Sequence, residues 1–256
     1  MLIKNPTEFK GECYAFINKD IILKNDGTPL TLQDLKTLKR DTPDSDIFCE
    51  QEYNACFLLV KGKDLPAGYT TEQLRLYNAR NTEDTAMKVF RAKALASWTD
   101  STRHCAQCGG TLTPHKELTA LQCSECGKIV FPRIEPCIIV LVRKGDKMLL
   151  ARHAQRNQDI YACIAGFMEA GETAEQTVRR ELMEETGITV KNIKYFGTQS
   201  WPFPSQLMIA FTAEWESGEI NPQDDELSDA GWFSIDECPA TPQPGSIAYR
   251  LIHDIR

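Results

Sequence analysis

The stretch RRELMEETG, residues 179–187, places glutamates at 181, 184 and 185. Like charges three or four residues apart on a helix repel by about 0.2–0.5 kcal/mol, so a face that is only solvated usually mixes the two signs. At about 100° per residue, Glu184 and Glu185 fall roughly 60° and 40° to either side of Glu181. This shared arc favours a site for divalent cations, because hard carboxylate oxygens suit Mg²⁺ or Mn²⁺. A solvated charged face is the alternative.

The helix that carries these glutamates has start and stop signals in the sequence. Thr173 followed by Gln176 is a capping-box pair, and Gly187 stands where a left-handed C-terminal residue belongs. These signals predict a helix from about residue 174 to 186. The apolar residues of a neighbouring arc, which would hold the helix against a core, are Ala174, Val178 and Leu182.

The composition of the chain is that of an ordinary globular protein. It has 256 residues, 42% hydrophobic and 25% charged, which is long enough for two domains. The net charge of -7 argues against a protein built mainly to hold a nucleic acid backbone, although it leaves room for a local basic groove. The first residues lack an apolar signal region, and runs such as CIIVLV at 137–142 are too short to span a membrane. We therefore expect a soluble, cytoplasmic protein.

Four of the ten cysteines follow a metal-binding pattern. Cys105 and Cys108 form one Cys-x-x-Cys turn, and Cys123 and Cys126 form a second one fourteen residues later. Two such turns complete a tetrahedral zinc site, and four protein ligands leave no open position, which predicts a structural rather than catalytic zinc. A redox or disulfide function is the alternative, and His104 and His115 are interpreted as bystanders.

The other cysteines are not expected to form disulfides, because no export signal is present. Cys137 and Cys163 lie in apolar stretches and are predicted to be buried.

Other elements are predicted more coarsely. Residues 1–80 carry no motif that indicates a chemistry, although 31–40 has the pattern of a short helix. A longer amphipathic helix is predicted for 82–98, and a hairpin that turns at 144–146 is predicted after Pro136. The apolar positions of the longer helix are Met87, Phe90, Ala94, Leu95 and Trp98. Further strands are predicted at 193–201, 206–215 and 230–234, and a last helix at 246–255.

From Gly166 the spacing is Gly-x5-Glu-x7-Arg-Glu-Leu-x-Glu-Glu-x-Gly-Ile, with the first glutamate at 172. This pattern resembles a complete Nudix box. The resemblance implies an α/β/α sandwich, a catalytic Mg²⁺ or Mn²⁺, and hydrolysis of a pyrophosphate within a nucleoside diphosphate derivative. Strands around one catalytic helix agree with that fold. Water would attack phosphorus in line, without a covalent enzyme intermediate.

A second motif narrows the resemblance. TQSWPFPSQ, residues 198–206, surrounds two aromatic residues with prolines, which fix the backbone and present rigid surfaces suited to flat rings. Together with the zinc ribbon it resembles the NADH pyrophosphatase subfamily of Nudix hydrolases, whose motif is Ser-Gln-Pro-Trp-Pro-Phe-Pro-x-Ser. Thr198 and Ser200 replace the first serine and the first proline, and Ser205 and Gln206 are exchanged at the end. These departures concern fine substrate preference.

The subfamily resemblance implies cleavage of NAD(H) to nicotinamide mononucleotide and AMP, removal of an NAD cap from RNA 5′ ends, and a homodimer. It implies a Nudix domain at 132–256 and a zinc ribbon at 101–131, preceded by a separate α+β domain at 1–100. The fold class is therefore α/β. Two other functions stay open: hydrolysis of another nucleotide such as ADP-ribose, and a catalytically dead Nudix sensor of nucleotides or nucleic acid.

The resemblance also implies roles for single residues. Glu181, Glu184, Glu185 and Glu226 would bind the catalytic metal together with the carbonyl of Ala165, and Glu184 or Glu185 would be the general base. Arg180 would orient a glutamate, and Glu172 would support the start of the helix. The residues implied in substrate binding are Phe131, Phe167, Gln199, Ser200, Trp201, Pro202, Phe203, Pro204, Ser205, Gln206 and Ala248. For Trp201 and Phe203, a place in an ordinary core is the alternative.

Overall fold

The computed structural model describes residues 1–40, 42, 44–62, 64–154, 159–222 and 226–254. The chain divides into two compact units, Met1–Ile134 with Pro202–Ser205, and Glu135–Trp201 with Gln206–Arg256. The predicted domain boundaries at 100/101 and 131/132 stay predictions. Within the described ranges, none of the helices has the length and apolar character needed to cross a membrane.

The first unit is built on a mixed sheet. Its strands are β1 (Leu2–Lys4), β2 (Glu12–Ile17), β3 (Asp20–Lys24), β4 (Phe48–Glu50), β5 (Ala55–Val60) and β6 (Tyr69–Gln73), in the order β1-β4-β5-β2-β3-β6. Strands β2 and β5 are parallel, and the other neighbours are antiparallel. The helices are α1 (Leu32–Arg40), α2 (Leu74–Ala79) and α3 (Glu83–Ser101).

The two helices predicted in this unit are present, with one difference in their packing. The helix α1 buries Leu32, Leu35 and Leu38, in agreement with the prediction for 31–40. The helix predicted at 82–98 forms the greater part of α3, in which Phe90, Leu95 and Trp98 are buried. Met87 was predicted on the apolar stripe, but 52% of it is exposed. Its position near the N-terminal end of α3 is not covered by the core.

The expectation that the remaining cysteines form no disulfide is wrong for one pair. Cys49 of β4 and Cys56 of β5 are disulfide-bonded. They are directly opposite each other in an antiparallel ladder, where side chains on the same face come close together. Cys137 and Cys163 are buried free thiols, as predicted.

A small antiparallel sheet follows α3 in the first unit. It consists of β7 (Leu112–Pro114), β8 (Leu121–Cys123) and β9 (Ile129–Val130). Gly109 and Gly127 follow the two Cys-x-x-Cys turns and have φ angles of 78° and 72°. Each glycine donates its N–H to the carbonyl of the first cysteine of its turn, so that the two turns have the same backbone design.

The second unit is a mixed sheet between two helices. Its strands are β10 (Glu135–Lys144), β11 (Lys147–His153), β12 (Ile164–Phe167), β13 (Thr189–Trp201), β14 (Gln206–Ser217) and β15 (Leu227–Phe233), and its helices are α4 (Ala174–Thr186) and α5 (Ile247–Ile252). The order is β13-β14-β10-β11-β15, with β12 also paired to β10. The predicted hairpin joins β10 to β11 through Gly145 and Asp146. The strands predicted in this unit are all present, and α5 forms the middle of the helix predicted at 246–255, whose last residue lies outside the described residues.

Alternate residues of β10 face opposite sides of the sheet, as the period of a strand requires. On one side, Ile138 and Val140 pack with Val178 and Leu182 of α4. On the other side, Ile139 and Leu141 pack with residues of α5, among them Ile247 and Leu251. The second unit is therefore the α/β/α sandwich that the sequence predicts.

The helix α4 begins and ends where the local signals place it. Thr173 Oγ1 accepts the N–H of Gln176 at 3.3 Å, and the side chain of Gln176 accepts the N–H of Thr173 at 2.8 Å. Gly187 has a φ angle of 73° and its N–H donates to Met183. The capping box and the left-handed glycine satisfy backbone groups that the helix itself leaves unpaired. The prediction of a helix at 174–186 is confirmed.

Candidate functional site

Close packing between α4 and β12 fixes one of the glutamates. The carboxyl group of Glu181 lies against the backbone of Gly166, and a Cβ at that position would overlap it. Gly166 pairs with Ile138 of β10, which holds the strand in place beneath the helix. A glycine is therefore needed at 166 because the carboxylate occupies the space of a side chain.

Arg180 is the centre of the polar contacts on this helix. Its guanidinium donates to both oxygens of Glu172, at 2.7 and 2.9 Å, and to Glu181 Oε1 at 2.8 Å. It also donates to Glu184 Oε2 at 3.0 Å and to the backbone oxygen of Phe167 at 2.9 Å. These bonds lower the pKa of Glu172 to about 2 and raise the pKa of Arg180. One cation is shared among three carboxylates.

The buried glutamates are disfavoured as anions. Burial raises the pKa of Glu185 to about 8, with further contributions from the charges of Glu181 and Glu226. Burial also raises the pKa of Glu181. Oε2 of Glu185 is buried and has no hydrogen-bond partner among the described residues. Buried carboxylates of this kind need compensation from a cation or a proton.

The three glutamates of the predicted arc differ in exposure. Glu181 and Glu185 are 9% and 3% exposed, whereas the side chain of Glu184 is 58% exposed. Glu226 precedes β15, and its charge acts on both buried carboxylates. Ala165 lies on β12, directly before Gly166. The donor set of hard oxygens and the orphaned oxygen of Glu185 fit a divalent cation.

The four predicted cysteine ligands come together in the first unit. Their sulfur atoms all lie within 4.8 Å of one another. Cys105 Sγ lies 3.7 Å from Cys126 Sγ, and Cys108 Sγ lies 3.4 Å from Cys123 Sγ. The backbone N–H of Gln107 lowers the pKa of Cys105, and that of Cys126 lowers the pKa of Cys123. This set of four converging sulfur donors can hold a metal ion.

The two histidines near this cluster are outside it. Nδ1 of His115 accepts the backbone N–H groups of Glu117 and Leu118, at 3.1 and 3.2 Å. His104 forms an isolated backbone bridge with Thr111. Neither belongs to the group of four cysteines, in agreement with the sequence interpretation.

The Trp-Pro-Phe-Pro motif forms the end of the β13–β14 hairpin. Trp201 pairs with Gln206 in the ladder and packs in part against the core on the α5 side of the sheet. Ser200 is exposed on the opposite face. The segment between Trp201 and Gln206 groups with the first unit; it consists of Pro202, Phe203, Pro204 and Ser205. There the guanidinium carbon of Arg75 lies 5.0 Å from the centroid of the Phe203 ring.

Three further predicted residues have different environments. Phe131 belongs to the first unit and is 60% exposed. Phe167 belongs to the second unit and is 49% exposed, next to the glycine that contacts Glu181. Ala248 is buried in the core of the α5 side.

Two contacts of this region were not foreseen from the sequence. Thr177 is fully buried and donates its hydroxyl to Glu172 Oε2 at 2.8 Å. Gln199 makes two hydrogen bonds to the backbone around the start of α5, to Gly245 and Ile247. Thr177 lies one turn after the N-cap residue and five residues after Glu172. This contact joins near neighbours in the sequence, so their spacing is a local signal from which it could be predicted. The contacts of Gln199 are 46 and 48 residues distant and leave no such signal.

The chain is similar to known proteins over its C-terminal part. Residues 133–253 match the NUDIX domain family. The NAD-capped RNA hydrolase NudC of Vibrio parahaemolyticus is 51% identical over 166 residues, which is 65% of this chain and 64% of that protein. The NAD-capped RNA hydrolase NudC of Citrobacter koseri is 47% identical over 64% of each chain. The matched segment thus spans less than two thirds of the length of these relatives.

A solved structure has the same fold. A crystal structure of a NUDIX hydrolase from Nitrosomonas europaea aligns with a TM-score of 0.50 and 28% identity, over 60% of this chain and 87% of that chain.

Proposed function

We propose that the protein is a Nudix hydrolase, because residues 133–253 match the NUDIX domain family, and that it hydrolyses the pyrophosphate bond of NAD(H). The products would be nicotinamide mononucleotide and AMP. We further propose that it removes the NAD cap from RNA 5′ ends, leaving a 5′-monophosphate. The similarity to NAD-capped RNA hydrolases and the motif at 198–206 support this choice of substrate.

The observation that carries the proposal is the excess of negative charge around Arg180. One guanidinium is shared by Glu172, Glu181 and Glu184, while Glu185 is buried nearby with one oxygen that has no hydrogen-bond partner in the described part of the chain. A carboxylate cluster with this imbalance gains stability from a divalent cation. The ligands that we propose for Mg²⁺ or Mn²⁺ are the carbonyl of Ala165 and the carboxylates of Glu181, Glu184, Glu185 and Glu226.

The bound cation would supply charge neutralisation on the pyrophosphate and a lowered pKa for the attacking water. The chain itself supplies position and proton transfer. Arg180 holds Glu181 and Glu184 by hydrogen bonds. One oxygen of Glu185 has no such partner among the described residues and can accept the proton of the attacking water. We therefore propose Glu185, rather than Glu184, as the base.

Substrate recognition is proposed on the other face of the sheet and at the end of β12. Phe167 is exposed beside the glutamate cluster and offers a ring face for the nicotinamide. Trp201 and Ala248 lie on the α5 side of the same unit. The substrate contacts of Ser200 and Gln206, and those of Phe131 and residues 202–205 in the first unit, stay predictions from the resemblance.

The four cysteines are proposed to hold a structural Zn²⁺. The set is closed, because four sulfur donors fill a tetrahedral shell and leave no position for a substrate. Replacement of Cys108 by serine should therefore release zinc and lower thermal stability without first changing kcat. Elemental analysis that finds no zinc in the purified protein would contradict this assignment.

The reaction is tested by product analysis with NADH and NAD-capped RNA in ¹⁸O-labelled water. We expect reduced nicotinamide mononucleotide and AMP from NADH, with one heavy oxygen in the phosphate of one product per turnover. EDTA should abolish the reaction, and Mn²⁺ or Mg²⁺ should restore it. Release of free nicotinamide, label in a sugar, or full activity without divalent ions would overturn the proposal.

The same experiment separates the alternatives. Hydrolysis of ADP-ribose with no hydrolysis of NADH would identify a different Nudix substrate. Binding of nucleotides without turnover under any divalent ion would identify a sensor. The intact set of glutamates favours an enzyme over a sensor. The homodimer and the cytoplasmic location stay predictions, and light scattering of the purified chain tests the first of them.

A further inference from the structure

Gln199 uses both ends of its side-chain amide to hold the segment that leads into α5. Its Nε2 donates to the backbone oxygen of Gly245 at 2.8 Å. Its Oε1 accepts the backbone N–H of Ile247 at 2.7 Å. A side chain that binds a backbone donor and a backbone acceptor two residues apart fixes both the distance and the orientation of that segment. We name this pair of hydrogen bonds the Gln199 clamp.

The clamp joins two parts of the second unit that share one core. Gln199 is opposite Met208 in the β13–β14 ladder, and Met208 packs with Ile247 and Ala248. Trp201 follows Gln199 by two positions, so its side chain emerges on the same face of the strand and packs against the same core. The clamp therefore ties the strand that bears Trp201 to the first residues of α5.

The clamp lies on the opposite side of the sheet from the glutamates. The core that contains Met208 and Ala248 faces α5, whereas Val178 and Leu182 of the glutamate-bearing helix pack on the other face. Loss of the clamp should thus disturb the α5 side without moving the carboxylates. A variant without the clamp should therefore have a changed KM, which reports substrate binding, and a nearly unchanged kcat, which reports the chemical step.

We propose that Gln199 is a positioning residue, which sets Trp201 and Ala248 for substrate through the Gln199 clamp instead of recognising substrate with its own amide. This inference rests on the proposed function, because it assigns Trp201 and Ala248 to substrate binding. It also distinguishes Gln199 from the other residues of the motif. The motif would then contain one residue that holds the site together and others that touch the ligand.

The first test uses Gln199→Leu, which removes both hydrogen bonds at nearly constant volume. We expect the KM for NADH to rise roughly tenfold while kcat stays within about threefold, because preorganisation of the binding surface is lost. Amide hydrogen exchange at Ile247 should accelerate by roughly tenfold or more, since its acceptor is gone. Thr198→Val is the matched control on the same strand. Thr198 is exposed on the opposite face, and its variant should keep the wild-type KM and exchange rate.

The second test uses Gln199→Glu, which keeps the shape of the side chain. As a carboxylate, Glu accepts the N–H of Ile247 but has no donor for Gly245, and its charge repels that carbonyl. The variant should therefore raise the KM for NADH at about pH 7.5 by at least as much as Gln199→Leu does. A KM for Gln199→Glu within about twofold of the wild-type value would contradict the clamp.

The combination of readouts decides the role. Faster exchange at Ile247 with an unchanged KM would make the clamp purely structural and overturn the proposal. A raised KM with unchanged exchange at Ile247 would mean that Gln199 contacts the substrate directly, which also overturns it. If the wild-type protein hydrolyses ADP-ribose and not NADH, the proposed function fails. The KM comparison is then made with ADP-ribose and still tests the clamp.

Discussion

Each unit of the molecule has an arginine that binds a buried glutamate, but the charges are balanced in the first unit and not in the second. In the Arg91 cluster, formed by Glu50, Arg91 and Thr119, the guanidinium donates to both oxygens of Glu50. The hydroxyl of Thr119 donates to the same carboxylate at 2.9 Å. In the Arg180 cluster, the single guanidinium serves the carboxylates of Glu172, Glu181 and Glu184.

The difference separates a structural charge pair from a site with chemistry. Glu50 is 1% exposed, and each of its oxygens accepts at least one hydrogen bond. Burial of this carboxylate therefore adds little free-energy cost from unpaired polar atoms. Glu185, beside the Arg180 cluster, is buried with one oxygen orphaned among the described residues. A fold retains such an unbalanced group when function requires it, because its burial lowers stability. Glu50 and Glu185 are buried to a similar extent. The balance of hydrogen-bond donors and charges around each carboxylate is therefore what distinguishes the structural pair from the site with chemistry.

The largest effect is expected from Glu185→Gln. Turnover of NADH should fall by roughly 10²–10⁴, the range for loss of a proton-transfer group. The fold should persist. The folded pKa of Glu185 is raised to about 8, so the stability it contributes is present below its unfolded pKa and is lost as the pH rises through 8. Metal-free Glu185→Gln should therefore unfold at the same or a higher temperature than the wild type at pH 8.

Steady-state kinetics and thermal unfolding are measured on the same preparations. Glu175→Gln, an exposed glutamate in the first turn of the same helix, is the matched control and should keep its turnover. Near wild-type turnover for Glu185→Gln would remove that residue from the mechanism.

The next effect concerns the orienting arginine. Arg180→Gln should lower kcat/KM at subsaturating Mn²⁺ by about 10–100-fold, the usual cost of losing a group that orients metal ligands. Arg180→Lys keeps the charge but cannot bind Glu172 with a planar fork. If orientation is what matters, the lysine variant should be nearly as impaired as the glutamine variant in a Mn²⁺ titration of activity. Full activity of the lysine variant would assign the role to charge alone.

Glu50→Gln tests the balanced cluster and should have the opposite profile. The variant loses charge-assisted hydrogen bonds from Arg91, which is worth about 2 kcal/mol of unfolding free energy. The kcat should stay within about twofold of the wild type. Urea unfolding and NADH turnover, measured together, check this. A loss of turnover without a loss of stability would show that the comparison between the clusters is mistaken.

The smallest effect comes from Lys93, a buried cation on the same helix as the partly buried Arg91. Its ammonium lies 5.7 Å from the centroid of the Phe16 ring, and burial lowers its pKa to about 8. The unfolded state holds the proton up to about pH 10.5, so stability should rise with pH between these values. Between pH 8 and 9 the gain should be about 1 kcal/mol. In Lys93→Met this slope should vanish, which urea unfolding at the two pH values can measure.

The sequence predicts the local parts of the site better than the distant ones. The bounds of α4 are confirmed because Thr173, Gln176 and Gly187 act within one turn of the helix ends. The meeting of four cysteines is likewise predicted, since each Cys-x-x-Cys turn is a local geometry. Helical spacing placed three glutamates on one arc, but it could not tell that Glu184 would be mostly exposed. Exposure depends on what packs over the arc.

The features that the sequence did not predict depend on register and on distant chain segments. The disulfide between Cys49 and Cys56 requires that β4 and β5 pair with those two residues opposite each other. The contact of Gly166 with Glu181 joins a strand to a helix fifteen residues later, and only the packing distance makes the glycine necessary. The periodicity of apolar residues predicts which face of a helix or strand is buried, but it does not predict the register in which neighbouring elements pair or pack.

The strand β10 lies between two cores, and its alternate side chains pack against α4 on one side and α5 on the other. A substitution on one face of the sheet therefore changes one layer and leaves the other intact. The two layers then have separate tasks, because the α4 side carries the carboxylates whereas the α5 side carries Trp201 and Ala248. New substrate preferences could arise in such a protein by drift in one layer, with no interruption of the chemistry in the other.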